Sequence, residues 1–212
     1  MNSETTNNIL SVSGLQCVRG ERVLFKDISF NLVRGNLLYV EGANGSGKTT
    51  LLRTLCGLSL PDAGSVRWND SEIKSLAEDY SSQVLCIGHL AGIKEDLTPI
   101  ENLQFVASLV GSNVTRDEAM AALTKLNIAR CADLPTRVLS QGQKRRVALA
   151  RLWLQTCPLW VLDEPFTALD SAAIDTLTTH IADFISKGGI AIFTSHQEPA
   201  FSANNMRRLR LD

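Results

Sequence analysis

Eight consecutive residues, Gly42-Ala43-Asn44-Gly45-Ser46-Gly47-Lys48-Thr49, constrain this chain more than anything else in it. They fit the pattern G-x-x-x-x-G-K-[ST] in full. They also stand in the context that gives the pattern meaning, after an apolar run, NLLYVEG, and before a helix-forming run, TTLLRTLCGL. A strand that turns through glycines into a helix brings successive backbone N–H groups and the positive end of the helix dipole to one point, where a phosphate fits. On this reading Lys48 reaches the β- and γ-phosphates of a nucleotide and the Thr49 hydroxyl ligates Mg²⁺. The loop by itself fixes no reaction, because many unrelated activities use it.

The remainder of the chain reads as one α/β unit. Short β runs, ILSVSGL, VLFKDISFNLV and NLLYVEG, occupy residues 9–42, followed by strand candidates SVRWN and VLCIG. From about 95 to 134 the period changes to helical, with helices expected at 99–110 and 116–127 and Pro99 near a helix start. Beyond it come a helix over 141–157, an apolar strand LWVLD, a helix over 171–187 and the strand GGIAIFTS. Strands alternating with helices predict a largely parallel sheet covered by helices. At 212 residues there is room for one such domain. Twenty-one basic and twenty-two acidic residues leave no basic field of the kind that draws nucleic acid, so no nucleic-acid partner is expected. No apolar stretch reaches the roughly 18 residues of a membrane span. The start, MNSETTNN, does not read as a secretory leader, which points to the cytosol. Five scattered cysteines without a CxxC pair fit reduced, structural thiols.

Two further segments carry chemistry. Leu159-Trp160-Val161-Leu162-Asp163-Glu164 is a buried-type strand that ends in two carboxylates. Asp163 at its tip suits a Mg²⁺ shell, and Glu164 suits a water attacking a γ-phosphate. Leu139-Ser140-Gln141-Gly142-Gln143 opens a helix followed at once by Lys144, Arg145 and Arg146. Basic residues near a helix start oppose the dipole, so either an anion sits nearby or the three form a solvated face. A GTPase would need an Asn-Lys-x-Asp motif, and the chain has no Asn-Lys dipeptide.

With these segments in this order and spacing, the sequence resembles the ATP-binding cassette (ABC) ATPases over essentially its whole length. GANGSGKT looks like their Walker A motif, LSQGQ their signature, LWVLDE their Walker B motif, Ala168-Leu169-Asp170 their D-loop and His196 their switch histidine. The resemblance implies a P-loop NTPase fold: a mixed or parallel sheet core, an N-terminal antiparallel β portion and a helical subdomain inserted at about 90–135, within a single domain over 1–212. The RecA-like core and β subdomain would take about 1–90 and 135–212. It implies ATP and Mg²⁺ as ligands, with nucleotide contacts from Gly42 through Thr50 and from Arg19. Thr49 and Asp163 would hold the metal, and Glu164, His196 and His89 would serve catalysis. It also implies a head-to-tail homodimer in which Ser140, Gly142 and Gln143 act on the nucleotide held by the other subunit.

Two positions depart from that family. His89 stands where a glutamine is usual, which puts the usual coupling to Mg²⁺ in doubt, and Arg19 stands where an aromatic ring usually stacks on adenine. A guanidinium plane can also stack on a base. The run from Gly88-His89 through Gly92-Ile93-Lys94 to LTPIENL, together with LSQGQKRRVALARL, is similar to the ATP-binding subunits of the bacterial cytochrome c maturation complex, the haem exporter. That similarity implies an ATPase peripheral to the cytoplasmic face of the inner membrane, paired with separate integral membrane permease subunits. Hydrolysis would drive release of a haem-loaded chaperone. Without a CxxCH motif the chain is not expected to bind haem directly. The other readings are an ABC ATPase for a different cargo, a soluble mechanical ABC ATPase and a P-loop nucleotide kinase. The mechanical class generally needs a second cassette or a long coiled coil. The kinase would have no use for LSQGQ.

Overall fold

Alternating apolar residues in the first thirty positions build a hairpin of β1 (Ile9–Arg19) and β2 (Arg22–Val33), antiparallel and closed at Gly20, whose φ of +63° suits a glycine. β3 (Leu37–Gly42) leads into α1 (Lys48–Leu55). Next come β4 (Ala63–Trp68), β5 (Ser71–Glu72), the short helices α2 (Ile73–Leu76) and α3 (Glu78–Ser82), and β6 (Val84–Ile87). The helical stretch holds α4 (Pro99–Leu109), α5 (Arg116–Lys125) and α6 (Gln141–Leu149). The chain then returns through β7 (Leu159–Leu162), α7 (Ser171–Ser186), β8 (Ile190–Thr194) and β9 (Met206–Leu211). The computed structural model describes residues 9–90, 92–195, 201 and 206–211.

The described residues fall into two compact units, one drawn from Met1–Cys86, Cys157–Asp163 and Ile181–Asp212, the other from Ile87–Thr156 and Glu164–His180. In the first unit, an antiparallel sheet of order β2-β1-β4-β5 accompanies a sheet of order β6-β7-β8-β3-β9. β7 and β9 and their neighbours β8 and β3 pair in parallel. LWVL and IAIFT are buried at every residue, as expected of parallel strands covered on both faces. Leu10, Val12 and Leu15 of β1, Leu38 and Val40 of β3, Leu51 and Leu55 of α1, Val161 and Ile192 close one apolar core.

In the second unit Ile100, Leu103, Ala119, Ala122, Leu123, Val147 and Leu149 are buried along one face each of α4, α5 and α6. All three helices begin with the same device. Thr98, Thr115 and Ser140 cap them, and Glu101, Glu118 and Gln143 reach back to the cap N–H, satisfying the otherwise orphaned donors of the first turn.

Three details differ from the sequence expectation. The helix expected over 141–157 stops at Leu149 and tightens to a 3₁₀ turn over Ala150–Trp153. Pro158, just beyond, disfavours helical backbone at the residue before it and delivers the chain into β7. The short helices between β5 and β6 were not legible as helical. Nor was β9, whose MRRLRL reads as a charged surface segment, because at the sheet edge its arginines face outward and only Leu211 is buried.

Candidate functional site

The first unit holds the phosphate loop. β3 ends at Gly42, and α1 begins after Gly47, whose φ of +98° is left-handed and which provides no side-chain cap. The first N–H groups of α1 therefore keep their capacity for an external anion, unlike those of α4, α5 and α6. Glycine is needed for space as well as for φ. A Cβ on Gly47 would lie 3.0 Å from the Phe25 ring, and one on Gly42 would lie 2.5 Å from the Leu211 carbonyl oxygen and 2.6 Å from Ser46 Oγ. Lys48 is buried and folds back across the loop, its Nζ donating to the carbonyls of Gly42 at 2.7 Å and Ala43 at 3.1 Å. Ala43, Asn44 and Gly45 are exposed, Thr50 is half-buried, and the buried Ser46 Oγ has no partner among the described residues. An uncapped helix start, a swung-back ammonium and an unsatisfied hydroxyl together form a cradle suited to phosphate oxygens.

The strand tip lies beside this cradle. Thr49 Oγ1 donates to Asp163 Oδ2 at 2.8 Å, and Thr194 Oγ1 at the end of β8 donates to Asp163 Oδ1 at 2.7 Å. Asp163 is 4% exposed. A hydroxyl and a carboxylate side by side form an all-oxygen donor set that fits Mg²⁺. Thr194 was not singled out in the sequence, where it reads only as part of the run into His196. The Tyr39 hydroxyl donates to the Ser195 carbonyl at 3.1 Å, and the Tyr39 ring stacks on Phe193, so the strand leading to His196 is anchored. His196 itself lies outside the described residues. Arg19 is exposed at the end of β1.

The second unit holds Glu164, the signature and His89. Glu164 has a φ of +54°, an uncommon conformation for a non-glycine residue, in a turn where the Thr167 N–H donates to its carbonyl at 3.2 Å and the Thr167 hydroxyl to its carboxylate at 3.4 Å. Ser140 and Gln143 bond each other: Ser140 Oγ accepts from the Gln143 N–H at 3.2 Å, and Gln143 Oε1 accepts from the Ser140 N–H at 2.8 Å. Gly142 is where the signature helix meets the turn after Glu164, since a Cβ there would lie 2.7 Å from the carbonyl oxygen of Ala168, itself at a φ of +62°. Arg146 adds a 2.7 Å ion pair to Asp170. The Ala173 N–H, and then Arg146, hold the Asp170 carboxyl below the usual carboxylate range.

The three basic residues after the signature are neither an anion site nor a solvated face. Lys144 pairs with Glu95 at 2.7 Å, Arg145 is buried and donates to the Gly88 carbonyl at 2.6 Å, and Arg146 also donates to the Leu126 carbonyl at 3.0 Å. Their charge meets carboxylates and carbonyls of the same unit, which residue type alone did not reveal. His89, next to Gly88, is exposed.

Residues 25–167 match the ABC transporter family. The chain is 48% identical over 203 residues to the cytochrome c biogenesis ATP-binding export protein CcmA of Nitrosomonas europaea, covering 96% of this chain and 95% of that one. It is also 48% identical to the protein of the same name from Dechloromonas aromatica, covering 96% and 100%. Among solved structures, an ABC transporter ATP-binding protein from Pyrococcus furiosus superposes with a TM-score of 0.81 at 27% identity over 96% of this chain and 97% of that one. A dimeric bacterial ABC transporter cassette does so with a TM-score of 0.81 at 22% identity, covering 95% and 94%. With the family match over residues 25–167 and 48% identity to the two CcmA proteins along nearly the whole of both chains, the chain belongs to the ABC transporter family as an ATP-binding, ATP-hydrolysing subunit, among the CcmA-type ATP-binding proteins.

Proposed function

We propose that this ATPase is the energy-coupling subunit of a membrane complex serving c-type cytochrome biogenesis, where hydrolysis drives haem export or the release of a haem-loaded chaperone. The observation that carries this reading is the 48% identity, over nearly the full length of both chains, to relatives named as cytochrome c biogenesis ATP-binding export proteins. The chain acts as a single ABC ATPase domain over 1–212, with its helical subdomain at about 90–135.

Each site residue has a role in this account. Backbone N–H groups from Gly42 to Thr50 cradle the phosphates, and Lys48 exchanges its carbonyl partners for β- and γ-phosphate oxygens. Arg19 stacks on the base. Mg²⁺, held by Thr49 and Asp163, would neutralise charge on the β- and γ-oxygens. Glu164 takes a proton from the attacking water as its oxygen bonds to the γ-phosphorus and the bond to the β,γ-bridging oxygen breaks. His196 and His89 orient that water and the γ-phosphate. Ser140, Gly142 and Gln143 act in trans in a head-to-tail homodimer. Capping favours this, because Ser140 Oγ accepts within its own helix and so keeps its single O–H donor for a phosphate oxygen.

Integral membrane subunits dock on the helical unit around residues 90–130, and the chain sits on the cytoplasmic face of the inner membrane. Leu90 and Leu109, 85% and 68% exposed, support an apolar contact there, and no helix among the described residues is long and apolar enough to cross a membrane. The test is complementation of a strain lacking its own copy of this ATPase. The wild-type chain should restore haem-stained c-type cytochromes and co-purify with integral membrane proteins, while Glu164→Gln should co-purify yet restore none. Normal c-type cytochromes without the chain would assign it another cargo. Unchanged assembly after Ile93→Asp and Leu97→Asp would remove the docking site.

A further inference from the structure

Residues 92–97 form neither helix nor strand, yet they are bound on two sides by buried polar groups. Asn102 of α4, 4% exposed, donates through Nδ2 to the carbonyls of Lys94 and Thr98, both at 3.0 Å, and Leu97 at 3.2 Å, while its Oδ1 accepts from the Lys94 N–H at 2.8 Å. Thr136, fully buried, donates its hydroxyl to the Lys94 carbonyl at 2.9 Å and its N–H to the Leu97 carbonyl at 2.9 Å. The Arg137 N–H donates to the Glu95 carbonyl at 2.9 Å. From the signature helix, Lys144 pairs with the Glu95 carboxylate and Arg145 reaches back to the carbonyl of Gly88.

Thr136 stands only four residues before Ser140, and Arg145 five residues after it. If the loop slid past the signature, the bonds from Thr136, Arg137 and Arg145 to the carbonyls of Lys94, Leu97, Glu95 and Gly88 would break together, leaving the buried Thr136 without those partners, whereas the bonds from Asn102 would remain. We propose that Thr136 and Arg145 are positioning residues that hold Gly88, the loop at Lys94–Leu97 and the signature at Ser140 as one rigid arm, so that any displacement of that loop carries the Ser140 hydroxyl with it. The claim rests on the reading of Ser140 as a phosphate contact. Neither residue touches nucleotide. Their effect runs through the geometry of Ser140, so it falls on turnover rather than on binding at the phosphate loop.

A double-mutant cycle on ATP hydrolysis by the full chain separates this from a purely structural role. Thr136→Val should lower kcat about tenfold with KM changed less than about twofold, and Thr136→Ser should recover most of the loss. Added to Ser140→Ala, Thr136→Val should cost less than about a further twofold, because both act on one interaction. Arg145→Met runs the same cycle if Thr136→Val does not fold. The same loss of kcat in the presence and absence of Ser140→Ala, or a KM that rises with kcat unchanged, would overturn the proposal. An unchanged kcat in Ser140→Ala alone would overturn the signature reading first, and this proposal with it.

Discussion

Two helix starts in this molecule, α1 and α6, are built in opposite ways. α1 has a glycine at its cap, no side chain across its first turn and a lysine bent back onto the preceding loop. α6 is closed by a reciprocal Ser140–Gln143 box and pressed against Ala168 through Gly142. The first leaves its polar groups available to a ligand, whereas the second spends them on its own geometry and offers only a precisely held hydroxyl. In the proposed head-to-tail dimer, the open end would receive phosphate and the closed end would present a donor to the nucleotide held by the other subunit.

The largest effect should come from neither helix start but from the carboxylate of Glu164. Glu164→Gln should lower kcat by about 10²- to 10⁴-fold while ATP still binds, read by single-turnover hydrolysis against nucleotide binding. Near-normal turnover would remove Glu164 from its role. Gly142→Ala comes next. Its new methyl meets a backbone oxygen that cannot swing away, so we expect a loss of about 1–3 kcal/mol of stability together with a fall in kcat and unchanged phosphate-loop binding. A variant of normal stability and turnover would show that α6 is not fixed against the Glu164 turn.

Smaller effects sharpen the same contrast. Thr98→Ala removes the cap of α4 and should cost about 1 kcal/mol in denaturant unfolding without altering ATP affinity. The pH response follows from the partners of those caps. The backbone N–H and then the hydroxyl of Thr98 hold the Glu101 carboxyl below the usual range, and Thr115 does the same for Glu118. Groups depressed on folding stabilise the protein above their unfolded value, about pH 4.3 for a glutamate, and that contribution fades as pH falls through their lower folded values. Thermal midpoints measured from pH 6 downward should therefore drop more steeply for the wild type than for a Thr98→Ala, Thr115→Ala double variant. Both chains keep the backbone N–H bonds to Glu101 and Glu118, so the difference reads the hydroxyls alone, and equal slopes would mean that the hydroxyls add no linked charge.

The same contrast explains what could be read in advance. The phosphate loop was legible because backbone geometry limits it to glycines at fixed spacing, and because a strand and a helix must flank it. Asp163 was legible because a four-residue apolar strand ends on it. What surrounds the signature was not, because its geometry depends on partners distant in sequence. Lys144, Arg145 and Arg146 looked like an exposed or anion-seeking cluster until Glu95, Gly88 and Asp170 were seen to meet them. Thr136 and Asn102 are ordinary residues in sequence, and only their burial against the carbonyls of a loop gives them weight. β9 escaped notice because an edge strand of a parallel sheet needs few buried side chains.

The central claim, that each phosphate loop is completed by the signature of the other subunit, is tested most directly by mixing two inactive chains. Lys48→Ala and Ser140→Arg homodimers should each fail to hydrolyse ATP. When the two are combined, the head-to-tail arrangement leaves one site with an intact loop from one chain and an intact signature from the other. Single-turnover hydrolysis should then reappear in the mixture at the level set by mixed dimers. A mixture as inactive as its two components would contradict the account.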